Sequence, residues 1–233
     1  VAFSYVVTAS NFVADVQRCI ESAMTWAGRQ PVEVVAVDNG STDGTGQWLE
    51  ELARRDRRVR VVHCDHALGE AAAKNIGLKQ ALGRFVVLLD TSTQVTGDLP
   101  GRLTGWFQGS EAQLVGPWGL RTRDLKEFEE VASGPADAMQ GYCMAFPRSL
   151  LLQAGLMRES FRFYRNLDID FSFQLREKGC RIVADSSLPV VRHEHKVWSA
   201  LSPDAREQLS RKNFRRFLKR WGHRSDLLVH QAT

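Results

Sequence analysis

Four short apolar runs in the first ninety positions, separated by stretches of helical spacing, constrain this chain more than anything else in it. Residues 3–8 (FSYVVT), 32–37 (VEVVAV), 59–63 (VRVVH) and 85–89 (FVVLL) are rich in Val, Leu and Phe. A strand buried on both faces needs no polar alternation, so such runs read as strands of a parallel sheet. Between the first two, Val13, Val16, Ile20, Ala23, Met24 and Ala27 repeat at helical intervals, with Ser10 or Asn11 expected as N-cap. Trp48, Leu49, Leu52 and Ala53 mark a second helix, and residues 69–82, stopped by Gly83, a third. This alternation predicts an α/β fold with a mostly parallel central sheet flanked by helices.

Beyond residue 93 the pattern loosens. Leu99, Leu103, Trp106 and Phe107 predict a helix, 113–118 a strand, 125–132 a helix, 142–146 a strand and 149–154 a short helix. A helix over 168–178 ends at Gly179, and 181–184 and 189–192 are short strands. Phe214, Phe217, Leu218 and Trp221 form the apolar stripe of a basic C-terminal helix. With 233 residues, 43% hydrophobic and 25% charged, one soluble domain with a sizeable core is expected. No apolar run approaches the ~20 residues that span a bilayer, and no signal peptide is visible. The spacing of Cys19, Cys64, Cys143 and Cys180 suits free thiols in a reducing compartment rather than disulfides or a zinc site. The net charge of +4 is crowded between Lys196 and Arg224, which favours an anionic partner: a phosphate group, an acidic lipid surface or nucleic acid. Nucleic acid is the weakest of these, because no helix–turn–helix or zinc-finger spacing accompanies the charge.

Four stretches carry residues suited to chemistry. The buried run 85–89 stops at Asp90, followed by Thr91, Ser92 and Thr93, and ligands of open α/β sheets collect beyond the carboxyl ends of strands. Residues 38–45 (DNGSTDGT) join a buried strand to a helix with two carboxylates, Asp38 and Asp43, beside Asn39. That is more acid than capping requires, and a carboxylate there can accept hydrogen bonds from a base or ribose; the alternative is a capped turn with no other role. No GxxxxGK[ST] or GxGxxG is present, which excludes a P-loop and weakens a dinucleotide reading. Lys74 sits on a helix of small residues, from which it can reach a diphosphate. Asp168 and Asp170 open a helix two residues apart, so they point in different directions and one is free to act as a general base, with Arg176 toward the helix's other end. His193 and His195 project to one side of an extended segment, an arrangement suited to a metal or a phosphate.

In this order the pieces resemble the family 2 glycosyltransferases, which have the GT-A fold. The matching stretches are VVTAS (6–10), VVAVDNGSTDGT (34–45), AAAKNIG (71–77), FVVLLDTST (85–93), GYCMAF (141–146), DIDFSFQLREKG (168–179) and VVRH (190–193). The resemblance covers residues 3–195 and implies inverting transfer of a sugar from a nucleotide diphosphate donor to a hydroxyl acceptor. It implies that Thr8, Ala9, Ser10, Asp38, Asn39, Lys74, Asp90 and Thr91 serve the nucleotide. Asp168 is the expected catalytic base. Asp90 with His193 or His195 would hold a divalent metal, Mg²⁺ or Mn²⁺ rather than zinc. Gly141, Tyr142, Asp170 and Arg176 belong to the acceptor side. Residues 1–93 form the nucleotide-binding half, 94–195 the acceptor half, and 196–233 a basic helical extension packed on the same domain. A UDP-sugar is the first donor to consider, and a glycan, a lipid-linked hydroxyl or a small molecule the acceptor. A cytoplasmic location, with peripheral contact to an anionic membrane, fits the basic helix.

Two departures from the family pattern stand out. Ser92 occupies the position of the second DxD carboxylate, and Leu167 precedes Asp168 where many relatives carry Glu. The first supports a rival reading, a GT-A protein that binds nucleotide or glycan without turnover. A sugar-1-phosphate nucleotidyltransferase fits less well, since residues 8–12 lack a Gly-rich basic loop. A processive synthase lacks its membrane spans and its QxxRW.

Overall fold

The computed structural model describes residues 1–109 and 113–229; the end of the 196–233 extension lies outside the described residues. β1 (Phe3–Ala9), α1 (Val13–Thr25), β2 (Val32–Asn39), α2 (Thr45–Arg55), β3 (Val59–Cys64), α3 (Glu70–Gln80) and β4 (Phe85–Leu89) alternate as the apolar runs predict. The four strands pair in parallel in the order β3-β2-β1-β4. The chain therefore reverses direction across the sheet between β1 and β4, and their carboxyl ends flank the crevice such a reversal creates. A Cβ on Gly77 would stand 2.4 Å from Val6 Cγ1. The small residues of α3 thus let it lie close on β1, and that carries Lys74 to the end of the sheet.

The start of α1 departs from expectation. Neither Ser10 nor Asn11 caps it: Asn11 and Phe12 take left-handed backbone, and Val13 N–H donates to Asp43 Oδ2 at 3.1 Å. Asp43 also accepts from the Thr45 hydroxyl at 2.6 Å. One of the two carboxylates of DNGSTDGT is spent on fastening neighbouring β–α turns together.

The second half comprises β5 (Thr93–Val95), α4 (Leu99–Gly109), β6 (Leu114–Gly116), β7 (Gly119–Arg121), β8 (Glu129–Val131), β9 (Ser133–Ala136), β10 (Ala138–Met139), β11 (Cys143–Pro147), α5 (Leu150–Ala154), α6 (Leu167–Arg176), β12 (Ile182–Asp185), β13 (Val190–Arg192), α7 (Lys196–Ser199) and α8 (Pro203–Trp221). β11, β6, β12 and β9 extend the central sheet beyond β4, with β11 and β9 antiparallel to their neighbours. The helix expected over 125–132 does not form. Asp124 Oδ1 accepts from the Lys126 and Glu127 N–H groups at 2.8 and 3.0 Å, Leu125 is left-handed, and Glu129–Val131 pairs with β7. Local side-chain bonds to the backbone have outcompeted the helical ladder.

Apolar residues of α1, α2 and α4 cover one face of the sheet, and those of α3, α5 and α6 the other. A third cluster joins Ile169 and Phe173 of α6 to Phe217 and Trp221 of α8, so the basic helix is docked through its apolar stripe. All four cysteines are free. No described helix is long and apolar enough to cross a membrane.

Candidate active site

Asp90 caps the crevice at the end of β4. Ser92, in the place of a second carboxylate, is buried and turned back on it: its N–H donates to Asp90 Oδ1 at 2.8 Å and its hydroxyl donates to the same oxygen. β13 pairs antiparallel with β5, which returns the late segment to β4's end and sets His195 Nε2 3.4 Å from Asp90 Oδ2. His195 also stacks on Tyr164, ring centroids 4.2 Å apart. Lys74, buried, pairs with Glu70 at 2.8 Å. Burial alone would raise the Asp90 pKa, but the His195 hydrogen bond and charge, then Lys74, hold it at about 2. Burial would likewise lower His195 and Lys74, yet Asp90 for the first, and Glu70 then Asp90 for the second, keep both above their ordinary values.

Asp168 stands across the same cavity at the first turn of α6. Its Oδ2 accepts from Gly141 N–H at 2.8 Å and its Oδ1 from Ile169 N–H at 2.9 Å. It has no cationic side-chain partner within ion-pair distance among the described residues. Burial raises its pKa, and the backbone donors offset that only in part. A carboxylate with raised affinity for a proton and no ion-pair partner is suited to general-base work. The cavity, about 550 Å³, holds Lys74, Asp90, Gly141, Tyr142, Asp168 and His195 of the expected residues. Glu70, Tyr164 and Arg165 join them, with Ser210, Arg211 and Phe214 from α8, none of which sequence reasoning had singled out for the site.

Other expected residues lie elsewhere. Thr8, Ala9, Ser10, Asp38, Asn39 and Thr91 sit at or just beyond the carboxyl ends of β1, β2 and β4, outside the lining of this cavity. Asn39 is occupied in bracing loops, accepting from Leu68 N–H at 2.8 Å, whereas Thr8 Oγ1 is buried without a partner. His193 is exposed and pairs with Gln94 at 3.0 Å, so His195 alone of the two meets Asp90. Asp170 is buried against Arg158 and Trp221, and Arg176 donates to the Leu227 and Ala136 carbonyls. Neither lines this cavity.

Asp38 has its own surroundings. Its Oδ1 accepts from Ser41 N–H at 3.0 Å, and its Oδ2 meets His63 Nδ1 at 3.0 Å, while His63 Nε2 meets Glu50 at 2.7 Å. A Cβ on Gly46 would come within 2.6 Å of Asp38 Oδ2, so any larger residue there would push the Asp38 carboxylate off its present position. Burial would lower the His63 pKa, but Asp38 and Glu50 outweigh it and raise it above 6.5. This stabilisation is full below 6.5 and is lost as pH rises through the raised value. His63→Gln is expected to lower the thermal midpoint by roughly 1–3 °C near pH ~6 and by nothing near pH ~9, read by calorimetry; His63 is partly exposed, which keeps the effect small.

The sequence model described as "Glycosyl transferase family 2" matches residues 4–166, more than half of the chain. The chain belongs to glycosyl transferase family 2. Among curated relatives of this family 2 chain is the succinoglycan biosynthesis protein ExoO of Rhizobium meliloti, 32% identical over 184 residues, covering 74% of this chain and 51% of ExoO. Glycosyltransferase GlyG of Streptococcus pneumoniae is 34% identical over 86 residues, 37% of this chain and 29% of GlyG. The chain thus spans about half the length, or less, of these relatives. Among solved structures, GalNAc-T7 with UDP, GalNAc and Mn²⁺ superposes with a TM-score of 0.77 at 15% identity, over 97% of this chain and 49% of that one. The mannosyltransferase PcManGT from Pyrobaculum calidifontis, with GDP-Man and Mn²⁺, gives 0.67 at 17% identity, over 96% and 72%. The fold of the family 2 chain is that of these GT-A enzymes.

Its donor atoms bear on a divalent ion. Asp90 Oδ2 and His195 Nε2 face one space, and among the described residues no group of three His, Cys, Asp or Glu is placed to hold a metal. Mg²⁺-type sites in phosphate-handling enzymes commonly leave most positions to water and substrate phosphates. One carboxylate and one imidazole fit an ion shared with a bound diphosphate, and fall short of a resident site.

Proposed function

We propose that this chain moves a sugar from a nucleotide diphosphate donor to a hydroxyl acceptor with inversion at the anomeric carbon. The observation that carries the reading is Asp168, an unpaired carboxylate of raised pKa, lining one cavity with Lys74, Asp90 and His195. The acceptor oxygen attacks the anomeric carbon from the face opposite the diphosphate, and its proton passes to Asp168. The anomeric C–O bond breaks with its electron pair going to the diphosphate. Lys74 faces the charge that accumulates there, and the buried setting strengthens that interaction. Asp90 and His195 would hold a divalent ion, which when bound neutralises the departing diphosphate. Thr8, Ala9, Ser10, Asp38, Asn39 and Thr91, at the ends of β1, β2 and β4, take the nucleoside in this reading. A UDP-sugar is the first donor to test.

A thermal-shift panel of UDP, GDP, TDP and CDP, each with and without Mn²⁺, tests the donor side. The preferred nucleotide with Mn²⁺, at about a hundred times its Kd, is expected to stabilise by roughly 2.7 kcal/mol and raise the midpoint by several degrees. Mn²⁺ alone is expected to do nothing, because two protein donors do not make a resident site. A midpoint raised equally by Mn²⁺ alone overturns the shared-ion assignment, and indifference to all four nucleotides overturns the donor reading. The second reading, a nucleotide or glycan binder without turnover, is favoured by the committed hydroxyl of Ser92. Turnover by the parent protein decides between them.

A further inference from the structure

The charges lining the cavity are settled to different degrees. Glu70 pairs with Lys74, Asp90 with His195, and Glu130 of β8 with Arg192 at 3.1 Å. Lys126, Arg165 and Arg211 come from the loop before β8, the approach to α6 and the middle of α8 to line the same space. Arg211 is shared with Glu207 at 2.6 Å on the exposed face of α8. Among the described residues, Lys126 and Arg165 have no carboxylate within ion-pair distance; the Arg165 guanidinium instead lies over the Trp198 ring at 5.0 Å. Ser210 Oγ, also lining the cavity, is buried and has no hydrogen-bond partner. Phe128 and Phe214 add apolar surface to the same cavity.

Lys126 and Arg165, which make no ion pair, together with Arg211 beside them, raise the local potential of a concave wall and favour an anion. The diphosphate of a donor has its own positive partners at the β4 end, so this second set is surplus to it. Aromatic surface in the same cavity suits the C–H face of a sugar ring, and the orphaned Ser210 hydroxyl suits one of its oxygens. We propose that the acceptor is an anionic saccharide, whose phosphoryl or carboxylate group rests on Lys126, Arg165 and Arg211 while its hydroxyl faces Asp168. This rests on the glycosyltransferase reading above and names the substrate class of that site.

The test titrates glucose 6-phosphate, glucuronate and glucose into protein saturated with its preferred nucleoside diphosphate and Mn²⁺, at low and high salt, by calorimetry. Both anionic sugars are expected to bind at least about tenfold more tightly than glucose, with an advantage that shrinks in salt. Comparing the two anions separates a phosphoryl from a carboxylate preference. The doubly substituted Lys126→Gln/Arg165→Gln protein is expected to lose that advantage while its nucleotide affinity is unchanged; both residues are exposed, so its fold should persist, and its melting curve checks this. Glucose binding as tightly as the anions, or no binding of either anion, overturns the proposal. So does a fall in nucleotide affinity in the double variant, which would give these cations to the donor. Vesicles of phosphatidylglycerol provide one more arm: if only vesicle binding is lost, the cations serve a bilayer and the proposal fails. A parent protein that binds no nucleoside diphosphate in the same cell sinks the glycosyltransferase reading itself, and the proposal with it.

Discussion

Asp168→Asn is expected to lower kcat by about 10²–10⁴-fold while leaving nucleoside diphosphate binding intact. The amide keeps the size of the side chain but cannot take a proton from the attacking hydroxyl. Loss of a base acting only in the transition state shows in kcat rather than in donor affinity. Asp168 accepts two backbone N–H bonds, one on each oxygen, and an amide can satisfy only one of them. A melting curve and a nucleotide titration must therefore accompany the rate. Burial holds the carboxyl above the ordinary aspartate value of 3.8. The unprotonated form is the active one, so kcat should fall as pH drops through that raised value, and the acid limb of the profile should lie above 3.8. If the parent protein turns over and Asp168→Asn turns over equally well, Asp168 is not the base. If the parent shows no turnover with any donor but binds nucleotide, the binder reading prevails.

Each element is legible in the sequence to the extent that its signal is local. Strands β1, β2 and β4 are buried almost throughout, so their runs announce a parallel sheet by themselves. Strands β7, β8 and β10 have two or three residues each and exist through pairing, which no local period reports. Leu125 and Phe128 have helical spacing, but Thr122 captures the Leu125 N–H and Asp124 the Lys126 N–H first. At the site, Asp90 and Asp168 lie at element ends and Lys74 on a helix of small residues, each with recognisable neighbours. The parity argument for His193 and His195 breaks because β13 stops at Arg192 and His195 already serves as the N-cap of α7. Arg211 and Phe214 reach the cavity only because α8 is docked on α6. A hint was available, since residues three apart share a helix face and Phe214 belongs to the stripe that includes Phe217 and Trp221.

That docking makes the second large effect. Asp170→Ala is expected to destabilise the protein by about 3 kcal/mol, lowering the midpoint by roughly 6–12 °C. Asp170 is fully buried, and Arg158 Nε donates to its Oδ2 at 2.9 Å while the other end of the guanidinium donates to Oδ1. Trp221 Nε1, from α8, donates to the same Oδ1 at 2.8 Å. Removing the carboxylate strands a guanidinium and an indole N–H together, and an uncompensated buried charge costs far more than a lost surface pair. Arg158 keeps some exposure, which places the figure at the lower end of the range for such breaks. Asp170→Asn should cost less, because its amide oxygen can still accept from Trp221. Trp221→Phe should be less than additive with Asp170→Ala, since both remove the same bond. Chemical denaturation of the four proteins measures the coupling. The loosened α8 should also weaken the cavity wall that carries Ser210, Arg211 and Phe214, so acceptor affinity is expected to fall with stability. A variant of normal stability and raised acceptor KM would instead put Asp170 among the residues that touch the acceptor.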